Sequence, residues 1–247
     1  MLDAKSLLDQ FLGSGTGQKI GQTINQKGGG DLMGQAKRGL DALGGGKGLA
    51  VGGLLGLLVA NKTARKTAGT VAVYGGAAAL GLLAYRAFRN WQEGQTPGTA
   101  PVAQPADIAN VDPKYLPSNA PAKNGQPFEL SLIQAMIAAA KSDGHMDAAE
   151  QQRLFGEIER MALDAETKGA VFDLLSKSVS VEQIAAQAAN EEQAAELYLA
   201  SRIAIDPDDP NEQAHLSTLA QKLQLPPELV AHLDRQVEET LKAAKAA

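Results

Sequence analysis

Six carboxylates in two short stretches are the side chains best suited to chemistry. Ala140-Lys141-Ser142-Asp143-Gly144-His145-Met146-Asp147-Ala148-Ala149-Glu150 carries Asp143, Asp147 and Glu150, and Ala204-Ile205-Asp206-Pro207-Asp208-Asp209-Pro210-Asn211-Glu212 carries Asp206, Asp208 and Glu212. Each stretch follows an apolar run, so the two read as a degenerate internal repeat of helix-loop-helix units. Hard cations such as Ca²⁺ are held by several convergent oxygens. These six acids are therefore the candidate metal ligands, and a divalent cation is the one cofactor they would suit. Their spacing does not match the twelve-residue EF-hand loop. The same residues have an alternative role that needs no metal: Asp147 with Glu150 forms a capping box, and Asp208 or Asp209 caps the next helix.

Catalytic signatures are missing from the sequence. It has no Cys and three His, which excludes thiol nucleophiles and Cys-based zinc sites. Gly46-Lys47 is followed by Gly48 where a phosphate loop needs Ser or Thr. Glu212 and His215 make a single E-x-x-H pair, whereas a di-iron bundle uses two such pairs plus two further Glu. A non-enzymatic protein is the expectation, with no catalytic and no cofactor-binding residues.

The elements that would position the acids are helical. From Phe128 onward apolar residues recur with a helical period, in stripes such as Leu130-Ile133-Ile137, Leu154-Ile158-Met161, Leu197-Tyr198-Ile203 and Leu229-Leu233-Val237-Leu241. Ser180 with Gln183 and Asn190 with Gln193 mark further helix starts, and Pro226-Pro227 opens the last helix. Residues 127–247 thus form an acidic all-α domain of about seven helices joined by short loops.

The N-terminal half differs in kind. Residues 1–125 hold 13 Lys or Arg against 7 Asp or Glu, and residues 126–247 hold 10 against 21, so the net charge of −5 is +6 followed by −11. Residues 1–46 are Gly-rich and expected to be mostly disordered, except for a short amphipathic helix with Leu2, Leu7, Leu8, Phe11 and Leu12 clustered. Residues 47–91 read as membrane-anchoring Gly/Ala-rich helical segments. The uncharged run 48–60 is too short to span alone, whereas 69–85 reaches the lower limit for a span. Gly69 and Gly76 lie in that second run; Tyr85, Arg86, Arg89 and Trp91 follow as bilayer-edge anchors. Gly48, Gly52 and Gly56 recur every four residues and line one helix face, which suits a helical hairpin or a homo-oligomer packed through small residues. A single span and a hairpin both satisfy the pattern. Seven prolines from Pro97 to Pro127 make 92–126 an extended linker.

The stretch 139–150, its partner 204–208 and the upstream segment Leu57-Leu58-Val59-Ala60-Asn61-Lys62-Thr63-Ala64-Arg65-Lys66 together resemble the YebE family of bacterial inner-membrane proteins of unknown function. The C-terminal domain of that family is similar to the tellurite-resistance protein TerB. The resemblance implies a TerB-like bundle attached to the cytoplasmic membrane, with no known enzymatic activity. It also implies an association of Asp143, Glu150, Asp206 and Glu212 with divalent cations. The second acidic loop departs from the pattern by one residue in its Asp-to-Glu spacing and contains Pro207 and Pro210.

The expected function is a membrane-anchored interaction module in envelope or metal-stress physiology, with a divalent-cation sensor as the alternative. The expected partners are a lipid membrane, other proteins and a second copy of the chain. Nucleic acid is excluded by the charge of the acidic half. The inner membrane is the expected location, and the charge flanking a hairpin places the acidic domain on the cytoplasmic side.

Overall fold

A computed structural model describes residues 3–12, 77–142, 165–205, 207 and 209–246 of the 247. Among these residues there are eight α-helices, three 3₁₀ turns and no strand. The helices are α1 (Ala4–Phe11), α2 (Ala77–Gln92), α3 (Phe128–Ala140), α4 (Ala165–Ser176), α5 (Val181–Ala185), α6 (Glu191–Ala204), α7 (Pro210–Lys222) and α8 (Pro227–Ala246).

Local chemistry sets most boundaries. Ser180 caps α5 through the N–H of Gln183, and the Gln183 side chain accepts the N–H of Ser180, completing a capping box. Asn190 accepts the N–H of Gln193 at the start of α6, while the Gln193 carbonyl oxygen takes the N–H of Ala189. Asp209 caps α7, whose first residue, Pro210, has no N–H to satisfy.

Helix α6 is the axis of the fold. All twelve residues from Gln193 to Ala204 are buried, and α2, α3, α7 and α8 pack around them. A helix with every face apolar or enclosed belongs in an interior. Small residues are buried on both α3 and α6, Ala135 and Ala139 on the first and Ala194, Ala195, Ala200 and Ala204 on the second. Ser201 donates to the carbonyl of Ala135 across the α3–α6 contact.

Helix α2 revises the end of the expected membrane anchor, residues 77–91, whereas residues 47–76 of that anchor lie outside the described residues. No helix among the described residues is long and apolar enough to cross a membrane. Residues 77–85 of the run 69–85 supply instead the first half of α2, a 16-residue helix whose Leu80, Leu82, Leu83, Ala84, Ala87 and Phe88 are buried against α8 and α6. The expected bilayer-edge residues serve packing. Tyr85 meets Tyr115 edge-on at 5.4 Å between ring centres, and Trp91 meets Phe88 at 5.3 Å. Arg89 pairs with Glu93 at 2.6 Å and lies over the Tyr85 ring. Arg86 is half-buried, its Nε enclosed without a hydrogen-bond partner. Gly69, Gly76, Gly48, Gly52 and Gly56 lie outside the described residues.

The expected linker is also revised. Residues 92–126 run along the helices as a fitted strap in which Ala100, Ala103, Val111, Tyr115 and Ala122 are buried. Pro105, Pro113 and Pro117 each begin a 3₁₀ turn: Pro105–Asn110, Pro113–Tyr115 and Pro117–Asn119. Gln236 of α8 fastens the strap with both ends of its amide, accepting the N–H of Ala103 at 2.8 Å and donating to the carbonyl of Pro101 at 3.1 Å. Asn90 donates to the same carbonyl, and His232 bonds the carbonyl of Gln95. At the far end Gln126 donates to Gln187, which donates to Gln134 of α3.

Candidate functional site

Of the six predicted metal ligands, Asp143, Asp147, Glu150, Asp206 and Asp208 lie outside the described residues. Glu212 stands in the first turn of α7, where its backbone N–H and that of Asn211 donate to Asp209 at 3.4 and 2.7 Å. Asp209 therefore plays the capping role that the sequence offered as the alternative to a ligand. Among the described residues no group of three or more His, Asp or Glu is arranged to hold a metal ion. His215, one turn beyond Glu212, is half-buried, and that burial lowers its pKa.

The feature with the character of a binding site is the groove filled by α1. This helix lies on α3 and touches α2. Asp3 starts it by accepting the N–H of Lys5, and Lys5 closes the first turn with an ion pair to Asp9 at 2.8 Å. Its apolar face is wholly enclosed: Leu7, Leu8, Phe11 and Leu12 are each no more than 1% exposed. An eight-residue helix is too short to persist alone in water. The groove holds α1 in its helical form.

Two acids are buried on α3 and α6. Glu129, in the first turn of α3, is 5% exposed. Burial pushes its carboxyl above the usual range, Asp3 and Asp9 of α1 push the same way, and Lys5 opposes them. Glu196, in the middle of α6, is 1% exposed, and its Oε2 has no hydrogen-bond partner. Burial drives it well above the ordinary value, with Glu192 and Glu129 adding to the effect. Glu192 is paired with Lys114 of the strap at 2.8 Å. A carboxyl so placed resists ionisation, because ionising it would strand a charge away from water.

A second polar centre joins α6 to α8. Tyr198 donates to Asp234 Oδ1 at 3.0 Å, and Arg202 Nε meets the same oxygen at 3.3 Å. Arg202 also donates to the carbonyl of Ile205, tying the end of α6 to the start of its following loop. Burial raises the Asp234 pKa and the Arg202 charge opposes it. This arrangement cross-links two helices.

Sequence reasoning singled out neither Glu196 nor Arg202. A signal was present: Ala194-Ala195 and Leu197-Tyr198-Leu199 flank Glu196 on all sides of the helical wheel, which marks an interior helix.

A family profile described as protein of unknown function (DUF533) matches residues 44–237. An uncharacterized protein in the ampR 5′ region of Yersinia enterocolitica is 26% identical over 108 residues, 44% of this chain and 78% of that protein. No solved structure matches the chain significantly. The family match takes in α2, the strap and the helices around α6, and α1 stands outside it. The chain belongs to the DUF533 family of proteins of unknown function.

Proposed function

We propose that the chain is a non-enzymatic interaction module at the cytoplasmic face of the bacterial inner membrane. Its acidic helical unit docks other proteins, and its basic N-terminal half meets anionic lipid. The observation that carries this reading is the α1 groove: the helical unit already holds an amphipathic helix that reaches it from the far end of the sequence. The charge division supports the two contacts, since +6 over residues 1–125 favours anionic headgroups and −11 over residues 126–247 repels phosphate backbones. Envelope or metal-stress physiology is the setting proposed for this module. Self-association through Gly48, Gly52 and Gly56 belongs to the same proposal.

Photo-crosslinking in intact cells tests it, with the reactive residue placed at exposed Ser217 on α7, Glu182 on α5 and Glu228 on α8. Discrete protein adducts, identified by mass spectrometry from the membrane fraction, are the expected result. The absence of adducts at all three positions would remove the docking role.

A further inference from the structure

Glu129 is a buried acid in the helix that receives α1. It stands in the first turn of α3 and is 5% exposed. Helix α1 brings Asp3, Lys5 and Asp9 within range of its charge. From α6 it is faced by Glu196, and the Pro117–Asn119 turn that also packs on α3 carries no charged side chain. The one ammonium that α1 supplies, on Lys5, is already held by Asp9 at 2.8 Å. A charged Glu129 would therefore share that cation with two other carboxylates while lying out of water. Burial foremost, with Asp3 and Asp9 adding to it, pushes its carboxyl above the usual range, against the pull of its own backbone N–H and of Lys5.

Away from α1 the balance shifts towards the carboxylate. Lifting the helix off removes Asp3 and Asp9 and admits water to that side of α3, while the first turn of α3 favours a negative charge through the helix dipole. Glu129 therefore holds its proton more tightly with α1 seated than with α1 released. By linkage, the seating of α1 is strongest where Glu129 is neutral in both forms, and it weakens as pH rises through the range in which the released form ionises first. An eight-residue helix has little else to keep it ordered once its seat weakens.

We propose that α1 is a proton-controlled latch, seated on α3 while the Glu129 carboxyl is neutral and released when that carboxyl ionises. Release exposes Leu7, Leu8, Phe11 and Leu12 together with the groove that they fill. The latch concerns the chain's own α1, so it stands or falls apart from the docking of other proteins.

Amide hydrogen exchange of the full-length chain between about pH 4.5 and pH 8 tests the latch, read as protection factors so that the intrinsic pH dependence of exchange cancels. The amides of Leu7 and Leu12, which donate to the carbonyls of Asp3 and Leu8, report on α1. Those of Leu197 to Leu199 report on α6. Across this range, protection in α1 is expected to fall at least about tenfold relative to α6. Glu129→Gln cannot ionise, and its α1 protection should hold steady over the same range. Constant protection in the wild-type chain overturns the proposal. So does an equal fall in α1 and α6, or a fall in Glu129→Gln as large as that of the wild type. Where Glu129→Gln fails to fold, Glu129→Met, neutral and better suited to burial, carries the same expectation and is read the same way.

Discussion

The backbone of α2 at Gly81 lies against the carbonyl oxygen of Tyr115, so near that a β-carbon at residue 81 would collide with it. The contact brings the Pro113–Tyr115 turn flat onto α2 and lets the Tyr115 ring reach Tyr85 and Phe88. Gly81→Ala should therefore destabilise the fold by about 1–3 kcal/mol, the usual cost of overpacking. Gly169, within α4, has open space around it. There the same substitution should stabilise by about 0.5–1 kcal/mol, because alanine loses less backbone freedom. Urea denaturation of the two variants checks the opposite signs; two shifts in the same direction would discredit the Gly81 contact.

A fragment of residues 93–247 should fail to fold. It lacks Leu80, Leu82, Leu83 and Phe88, which belong to the same core as α6 and α8. Their loss, at roughly 1.5–3 kcal/mol per buried side chain, is comparable to the total stability of a domain, about 5–15 kcal/mol. The measurement is the thermal transition followed by near-ultraviolet circular dichroism of the tyrosines. A sharp transition like that of the full chain would return α2 to the status of a separate anchor.

Glu196 and Glu129 make stability depend on pH in a defined direction. Both have folded pKa values raised above the ordinary 4.5. Below that value folded and unfolded chains hold these protons equally. Above it the unfolded chain releases them first, so this contribution to stability declines as pH rises through the folded pKa. Glu196→Gln cannot ionise. Its melting temperature relative to the wild-type chain should therefore climb between about pH 4 and pH 8, and a constant difference across that range would contradict the buried, protonated state.

The link between α6 and α8 should appear as coupling between Arg202 and Asp234. Replacing Arg202 by Met leaves Asp234 without its cation, and a double-mutant cycle with Asp234→Asn isolates the pair. Because the Asp234 side chain is 34% exposed, the coupling should be about 1–2 kcal/mol, below the 3–5 kcal/mol lost on breaking a fully buried pair. A coupling near zero would assign the stability of the junction to its apolar contacts.

Gln236→Met should loosen the strap while leaving the helices formed. The substitution removes the acceptor for the Ala103 N–H and the donor to Pro101. Amide hydrogen exchange is the readout: the Ala103 amide should exchange at least about tenfold faster, corresponding to about 1.4 kcal/mol of lost protection. Unchanged protection would show that Asn90 and His232 suffice to hold the segment.

The helices of the acidic half were legible because their signals are local. Ser180, Asn190 and Pro227 act within a few residues of where they stand, and each marks a boundary in the structure. The role of α2 was not legible in the same way. Small and aliphatic residues followed by aromatics and arginines suit a bilayer edge, and they suit equally a tight helix-to-strap contact. What separates the two is Tyr115, which lies 34 positions from Gly81 in sequence. The strap was misjudged for a related reason. Proline forbids the interior of an α-helix but fits the first position of a 3₁₀ turn, and three of the linker prolines occupy that position. At the candidate site, composition identified α1 as amphipathic from its own leucines. Nothing within residues 1–46 could specify that α3 would receive it.

Since α1 and α2 both pack on the helical unit, a load on the chain between them is shared by two attachments of unequal strength. Pulling would detach the short α1 first, while α2, which buries Leu80, Leu83 and Phe88, would hold. Such a load would thus be reported as a vacated groove beside α3, before any core helix is disturbed.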